Sequence, residues 1–149
     1  MTTTNAPMTV RTPWHLWVVG IIAVLWNGFG GYDFTMSVTQ GEAYFRSMGM
    51  TDAQIAYYDA MPTWMYAPWV LGVWGAVAGS ILLLLRSRYA FHAFALSMVG
   101  LIVSLIYAFG LSNGAEVMGS AIYMQFVILA GAMFFLWYSW MMMKRGVLR

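Results

Sequence analysis

Four runs of apolar residues constrain the fold of this 149-residue chain more than any other feature. The runs cover residues 14–36, 62–85, 89–111 and 117–143. At about 1.5 Å per residue, each run forms a helix of roughly 34 to 40 Å, which exceeds the roughly 30 Å of a bilayer core. Charged residues make up only 8% of the chain, far below the level of soluble domains. The sequence therefore predicts an all-α, single-domain integral membrane four-helix bundle, and it excludes a soluble enzyme, a disordered chain and a nucleic-acid-binding protein.

The distribution of basic residues predicts how the bundle is oriented. Six of the seven Lys and Arg residues fall on one side of a four-span topology, and Arg46 alone falls on the other; the six are Arg11, Arg86, Arg88, Lys144, Arg145 and Arg149. Cytoplasmic loops carry the excess of basic residues in membrane proteins. We therefore expect both termini to be cytoplasmic. The first run is too long for the core of a signal peptide and lacks a cleavage pattern, so we expect it to be retained.

The first outer loop carries a signal for a short helix. Thr51 and Gln54 have the spacing of a capping box, in which the two side chains satisfy backbone amides at a helix start. Apolar and aromatic residues follow, which suits the lipid headgroup layer. We predict an interfacial helix over residues 51–60 that lies across the outer mouth of the bundle.

Small and polar residues recur at helical spacing in each run, as they do where membrane helices pack closely. Within these stripes, Asn27, Ser104 and Gln125 each lie roughly 10 to 12 Å below the predicted outer boundary. Three further polar side chains lie nearer the mouth, so the candidate ligand-binding set is Asn27, Tyr32, Asp33, Ser104, Tyr107 and Gln125. Polar groups at this depth serve either as glue between helices or as part of a ligand path. For Asp33, a capping or solvated role is a further alternative.

Two glycine-rich segments have structural interpretations. The cluster at residues 28–31 has the composition of a phosphate-binding loop but not its strand and helix context, so we reject that function. It predicts either an unwound or kinked helix end or close helix packing. Gly75 and Gly79 form a small-xxx-small motif, for which we favour contact within the bundle over contact between protomers.

Candidates for cofactor binding and catalysis are weak. The chain has no cysteine. His15 and His92 could in principle ligate one haem, and the methionines on the outer side could bind Cu(I); those methionines are Met36, Met48, Met50, Met61 and Met65. No nucleophile with a base and no carboxylate pair is apparent. We predict a non-enzymatic protein with no catalytic residue, no metal and no cofactor.

Several segments resemble a group of small, poorly characterised bacterial inner-membrane proteins that are sometimes labelled sugar transporters. The resemblance rests on residues 14–17, 26–33 and 74–80 and on Tyr107 with residues 111–114, and it extends over nearly the whole chain. It implies a four-helix, multi-pass fold in the bacterial inner (plasma) membrane. It supplies no catalytic residues that could be transferred to this sequence.

These observations lead to two hypotheses about function. The first is binding or transport of a small-molecule solute through an outer-facing polar pocket. The alternative is an accessory or structural subunit of a larger membrane complex. In both cases the partners are the lipid bilayer and other protein subunits, as a homo-oligomer or a larger complex, and not nucleic acid.

Overall fold

The structure, a computed structural model, describes residues 10–149, and this part of the chain is helical with short connections. Seven α-helices follow one another along it: α1 (Trp14–Gln40), α2 (Glu42–Ser47), α3 (Asp52–Asp59), α4 (Tyr66–Leu84), α5 (Tyr89–Ile106), α6 (Gly114–Met118) and α7 (Ile122–Lys144). A 3₁₀ turn, Thr63–Met65, leads into α4, and a π-helical turn, Tyr107–Leu111, continues α5. A second 3₁₀ turn, Gly119–Ala121, joins α6 to α7.

Four of the helical segments are long and apolar enough to cross a membrane, which confirms the predicted all-helical architecture. They run over Trp14–Gln40, Thr63–Leu84, Tyr89–Leu111 and Gly114–Lys144. The first helix is four residues longer than the apolar run because its polar end remains helical. There, the hydroxyls of Thr35, Ser37 and Thr39 each donate to the backbone carbonyl four residues earlier.

The long helices pack in the order α1, α4, α5, α7. We call the end that carries Trp14 and Lys144 the terminal end, and the end that carries α2, α3 and α6 the loop end. Gly75 of α4 lies against Ser97 of α5, and Gly79 lies against the Phe94 ring. Because α4 and α5 belong to one chain, the small-xxx-small motif mediates contact within the bundle, as the sequence analysis favours.

The terminal half of the bundle is a packed core. Side chains from α1, α4, α5 and α7 meet there, and its members include Leu16, Leu83, Phe94, Phe135 and Met142. Leu16, Leu83 and Met142 are fully buried. In α7 every buried residue belongs to this half, between Phe135 and Met142, while the loop half of α7 buries none. Helix α7 is therefore held against the bundle mainly at the terminal end.

The last residues fold back onto the turn between α4 and α5. The backbone N–H of Arg149 donates to the carbonyl of Arg86 at 2.8 Å, and the N–H of Arg88 donates to the carbonyl of Arg149 at 3.0 Å. Val147 and Leu148 are buried in the terminal core, each with 4% of its surface exposed. The six basic residues counted above thus flank the same end of the bundle. The cytoplasmic location of both termini stays a prediction.

The predicted short helix and its cap are present. Thr51 accepts a hydrogen bond from the backbone of Gln54, and the Gln54 side chain accepts one from the backbone of Thr51. The helix that follows, α3, is tied to the other end of the loop region because Gln54 Nε2 donates to the carbonyl of Met118 at 3.3 Å. Whether α3 lies in a membrane interface stays a prediction.

The glycine cluster of α1 does not unwind the helix, so the prediction of an unwound helix end is wrong. Helix α1 runs without interruption through residues 28–31 because its amides keep their helical partners. The competing explanation, close packing, applies at Gly31, where an added Cβ atom would lie 3.3 Å from the Trp74 ring. At Gly28 and Gly30 such an atom would meet nothing within 4 Å. These two glycines are consequently open positions on a regular helix.

Candidate functional site

A cavity of about 530 Å³ occupies the loop half of the bundle, between α1, α4, α5 and α7. This volume lies within the range of small-molecule binding sites, roughly 300 to 1,000 Å³. Along α5 the cavity reaches from Phe94 to Tyr107, which corresponds to about 20 Å of helix. Most of the lining is aromatic or aliphatic, and a few polar side chains are set into it.

Five of the six predicted site residues line this cavity: Asn27, Asp33, Ser104, Tyr107 and Gln125. Because they come from α1, α5 and α7, only the packing of the bundle brings them together. The sixth, Tyr32, is 55% exposed and does not line the cavity. It neighbours Asp33 in sequence, but successive residues of a helix point in different directions. Ligand binding by the set stays a prediction.

Asn27 is engaged in a contact between helices. Its Nδ2 atom donates to Ser80 Oγ at 2.8 Å, and Ser80 Oγ donates to the carbonyl of Ala76 at 2.7 Å. This chain joins α1 to α4 and buries Ser80 completely. Asn27 therefore stabilises the contact between α1 and α4 through its amide nitrogen. Ser80 was missed in the sequence analysis of the site, although it lies four residues beyond Ala76 on the small-residue face of α4.

Gln125 differs from the other polar residues of the wall. Ser97 Oγ donates to the carbonyl of Gly72, and Ser104 Oγ donates to the carbonyl of Gly100, so both hydroxyl protons are used within the protein. The Gln125 side chain makes no hydrogen bond with any residue between 10 and 149. An amide carries two donor hydrogens and an acceptor oxygen. The Gln125 amide is therefore a hydrogen-bonding group that faces the cavity without a partner in the described chain.

Asp33 is the one charged residue of the lining. Its Oδ1 atom accepts a hydrogen bond from the buried Tyr44 hydroxyl at 2.6 Å. This bond to the Asp33 carboxylate raises the pKa of Tyr44 to about 12. Burial, followed by the Asp33 charge, likewise raises the pKa of Tyr58 to about 12. Both phenols thus stay protonated at neutral pH, and Tyr44 remains a donor that fixes the orientation of the carboxylate.

Aromatic side chains lie at both ends of the cavity. Towards the terminal end, the rings of Phe94 and Phe135 stack with centroids 5.8 Å apart and belong to the packed core. Towards the loop end, the hydroxyl of Tyr57 on α3 donates to Ser112 Oγ at 2.8 Å, because the Ser112 proton is itself given to the Tyr107 carbonyl. The cavity therefore ends at the packed core on the side of the terminal end, and α3 partly covers it at the loop end.

The side of the cavity between α1 and α7 is more open. These two helices meet at few points: His15 bonds Tyr138 at the terminal end, and the indole nitrogen of Trp26 approaches Gly131 near the middle. Beyond Trp26 the cavity is lined by Phe29 and Met124, which are exposed on the outer surface of the bundle. We refer to this opening between α1 and α7 as the lateral opening.

The two histidines considered as haem ligands make different contacts. His15 is bonded to Tyr138, whereas His92 is exposed on α5, with Nδ1 3.4 Å from the Arg88 carbonyl of the same helix. Within residues 10–149 no group of three or more His, Asp or Glu side chains could hold a metal ion.

The five outer methionines, which were considered for Cu(I), lie in two different places. Met48, Met61 and Met65 line the cavity, while Met36 and Met50 pack against the cluster of Tyr44, Phe45 and Ile55.

Comparisons of the chain with protein-family models, with curated proteins and with solved structures give no match.

Proposed function

We propose that this protein binds a small amphipathic molecule in the cavity at the loop end of its helix bundle. The observation that carries the proposal is the Gln125 amide, which faces an otherwise mainly apolar cavity without a hydrogen-bond partner in the described chain. Gln125 is half-buried, so its amide is accessible from the cavity, and a ligand with its own polar group would form a hydrogen bond with it there. The apolar lining would hold the rest of that molecule.

The proposal also includes the side of the membrane that the cavity faces. The excess of basic residues at the terminal end favours a cytoplasmic location for that end, so the cavity would face the outer side of a bacterial inner membrane. Binding requires no change in the bundle. Passage of a solute across the membrane would require the rings of Phe94 and Phe135 to separate, since they close the cavity towards the terminal end. We therefore propose a non-enzymatic binding protein, in which transport would need a second conformation.

Two glycines of α1 provide a matched test. The Gly30→Phe substitution should block binding, because Gly30 lines the cavity and an added side chain there meets no neighbour within 4 Å of its first atom. Gly28→Phe is the control, since Gly28 is equally open but does not line the cavity. The probe is 4-hydroxybenzophenone, a neutral photoreactive amphiphile, applied to protein in phosphatidylcholine nanodiscs. Labelled peptides are identified by mass spectrometry.

In the unmodified protein we expect saturable labelling of cavity-lining peptides. Gly30→Phe should raise the half-saturating concentration at least about tenfold, and Gly28→Phe should change it by less than about twofold. Labelling of lipid-facing surfaces should be the same in all three proteins and serves as an internal reference. Labelling that is unsaturable and spread evenly over the lipid-facing surface of the unmodified protein would refute the proposed function.

A second pair of substitutions separates binding from an accessory role. Gln125→Leu should weaken probe binding about fivefold without loss of stability, because one ligand hydrogen bond is removed and no internal bond is broken. Asn27→Leu should lower the free energy of unfolding by about 1 kcal/mol, because Ser80 loses its partner on α1. Unfolding is followed by circular dichroism during titration with sodium dodecyl sulfate. An accessory subunit that uses both amides as glue would instead lose stability in both variants and bind no probe.

A further inference from the structure

Resting on the proposed binding function, we infer that the cavity selects an amphipathic organic cation, with Asp33 as its counter-ion and aromatic faces around it. The inference concerns the chemical class of the ligand. It follows from the charge, the free acceptor atoms and the ring faces that the cavity presents.

The Asp33 carboxylate has no ion-pair partner among residues 10–149. The two ion pairs among residues 10–149 join Arg46 to Glu42 and to Asp52, so Asp33 has no basic side chain within 4.0 Å there. Arg46 is paired with these two acids, which raise its pKa. Tyr44 supplies one hydrogen bond to Oδ1, whereas Oδ2 accepts none from the described residues. A partly buried carboxylate at the edge of an apolar cavity attracts a positive charge.

The lining itself is suited to a cation that carries apolar groups. Eight aromatic side chains contribute to the wall: Trp26, Phe29, Tyr57, Tyr58, Trp69, Phe94, Tyr107 and Phe135. Tyr58 lies close enough to Asp33 for the carboxylate to influence its ionisation, and the Tyr58 and Trp69 ring centroids are 6.1 Å apart. Ring faces attract ammonium groups within about 6 Å. Rings next to an unpaired carboxylate thus favour a quaternary or protonated amine over a neutral or anionic head.

The shape of the site supports a ligand that arrives through the bilayer. The lateral opening is lined by the exposed side chains of Phe29 and Met124, whereas α3 covers the loop end. A lipophilic amine partitions into a membrane and can reach such an opening with its charge near the interface. No basic residue lines the route, so nothing in the described wall repels the cation.

The test uses three photoprobes that share a benzophenone body and differ in charge. They are 4-benzoylbenzyl-trimethylammonium, its neutral isostere in which carbon replaces the ammonium nitrogen, and the anion benzophenone-4-sulfonate. Each is titrated against the full chain in nanodiscs of zwitterionic phosphatidylcholine, so that the bilayer adds no net charge. The variant is Asp33→Asn, which keeps an oxygen for the Tyr44 hydroxyl. Asp59→Asn is the control, since Asp59 is exposed and does not line the cavity.

We expect the cation to half-saturate the cavity peptides at a concentration at least about tenfold lower than either other probe. Asp33→Asn should remove this preference and leave binding of the neutral probe unchanged, while Asp59→Asn should preserve the preference. Equal binding of the cation and its neutral isostere in the unmodified protein would overturn the inference but leave the proposed function intact. Preferential binding of the anion would also overturn it. Absence of saturable labelling by all three probes would refute the proposed function as well.

Discussion

Replacement of Gly100 by alanine is expected to lower the free energy of unfolding by about 3 kcal/mol, the upper part of the range for overpacked sites. An added Cβ atom would lie 2.5 Å from the Pro68 carbonyl oxygen and 2.6 Å from the Gly72 nitrogen. Both atoms belong to the backbone of α4, so no side chain can rotate away to relieve the contact. The helices would have to separate, which would also break the 2.6 Å hydrogen bond from Ser97 Oγ to the Gly72 carbonyl.

The measurement is the midpoint of unfolding in a sodium dodecyl sulfate titration, followed by circular dichroism. Gly28→Ala is the matched control, because an added atom there meets nothing within 4 Å. Alanine is the better helix former by about 1 kcal/mol, so this control should be slightly more stable than the unmodified protein. Equal midpoints for Gly100→Ala and Gly28→Ala would contradict the close approach of α4 and α5.

The double substitution of Val147 and Leu148 by alanine should cost about 4 kcal/mol of unfolding free energy. Both side chains are 96% buried against the terminal core, and they follow the end of α7. Their removal leaves a void and loosens the backbone bonds between Arg149 and the turn at Arg86. Because α7 is packed against the bundle mainly at this end, we expect its attachment to the other helices to weaken and the bundle to lose stability.

Arg149→Ala is the control for the terminal segment. It removes an exposed side chain but keeps the backbone N–H and carbonyl that bond the α4–α5 turn. A surface change of this kind should shift the free energy of unfolding by no more than about 0.5 kcal/mol. The same detergent titration applies. Equal midpoints of unfolding for the double substitution and for Arg149→Ala would show that the terminal segment does not contribute to the core.

The candidate site could be predicted in part because the polar residues of an apolar chain are few. Asn27, Ser104 and Gln125 were grouped from their distance along helices of known rise, and the structure places them around one cavity. Distance along a helix does not show whether each side chain bonds another helix or faces the cavity without a partner. Asn27 has a partner on α4 and Gln125 has none in the described chain, and that difference depends on which side chains face each other across the bundle.

Tyr32 and the aromatic wall are the parts of the site that distance along a helix does not predict. Tyr32 is predicted to belong to the site because it lies near the mouth, yet a helix turns by about 100° per residue, and Tyr32 points outwards, away from the cavity. Conversely, Trp69, Tyr57 and Tyr58 lie beside the candidate residues in space, although they are distant in sequence. Aromatic residues are common on the lipid-facing surfaces of membrane proteins, so composition alone does not identify those that face inwards.

The sequence by itself determined the helical class, the four apolar segments, the gathering of basic residues at one end and the capped helix α3. These properties depend on local composition, helix rise and short-range hydrogen bonds, which residues near one another in the chain decide. Only the tertiary structure decided that the terminal half is a packed core and the loop half a cavity. It also decided that Gln125 and Asp33 face this cavity, since that outcome depends on how closely glycines let α4 approach α5 and how far α7 stands from α1.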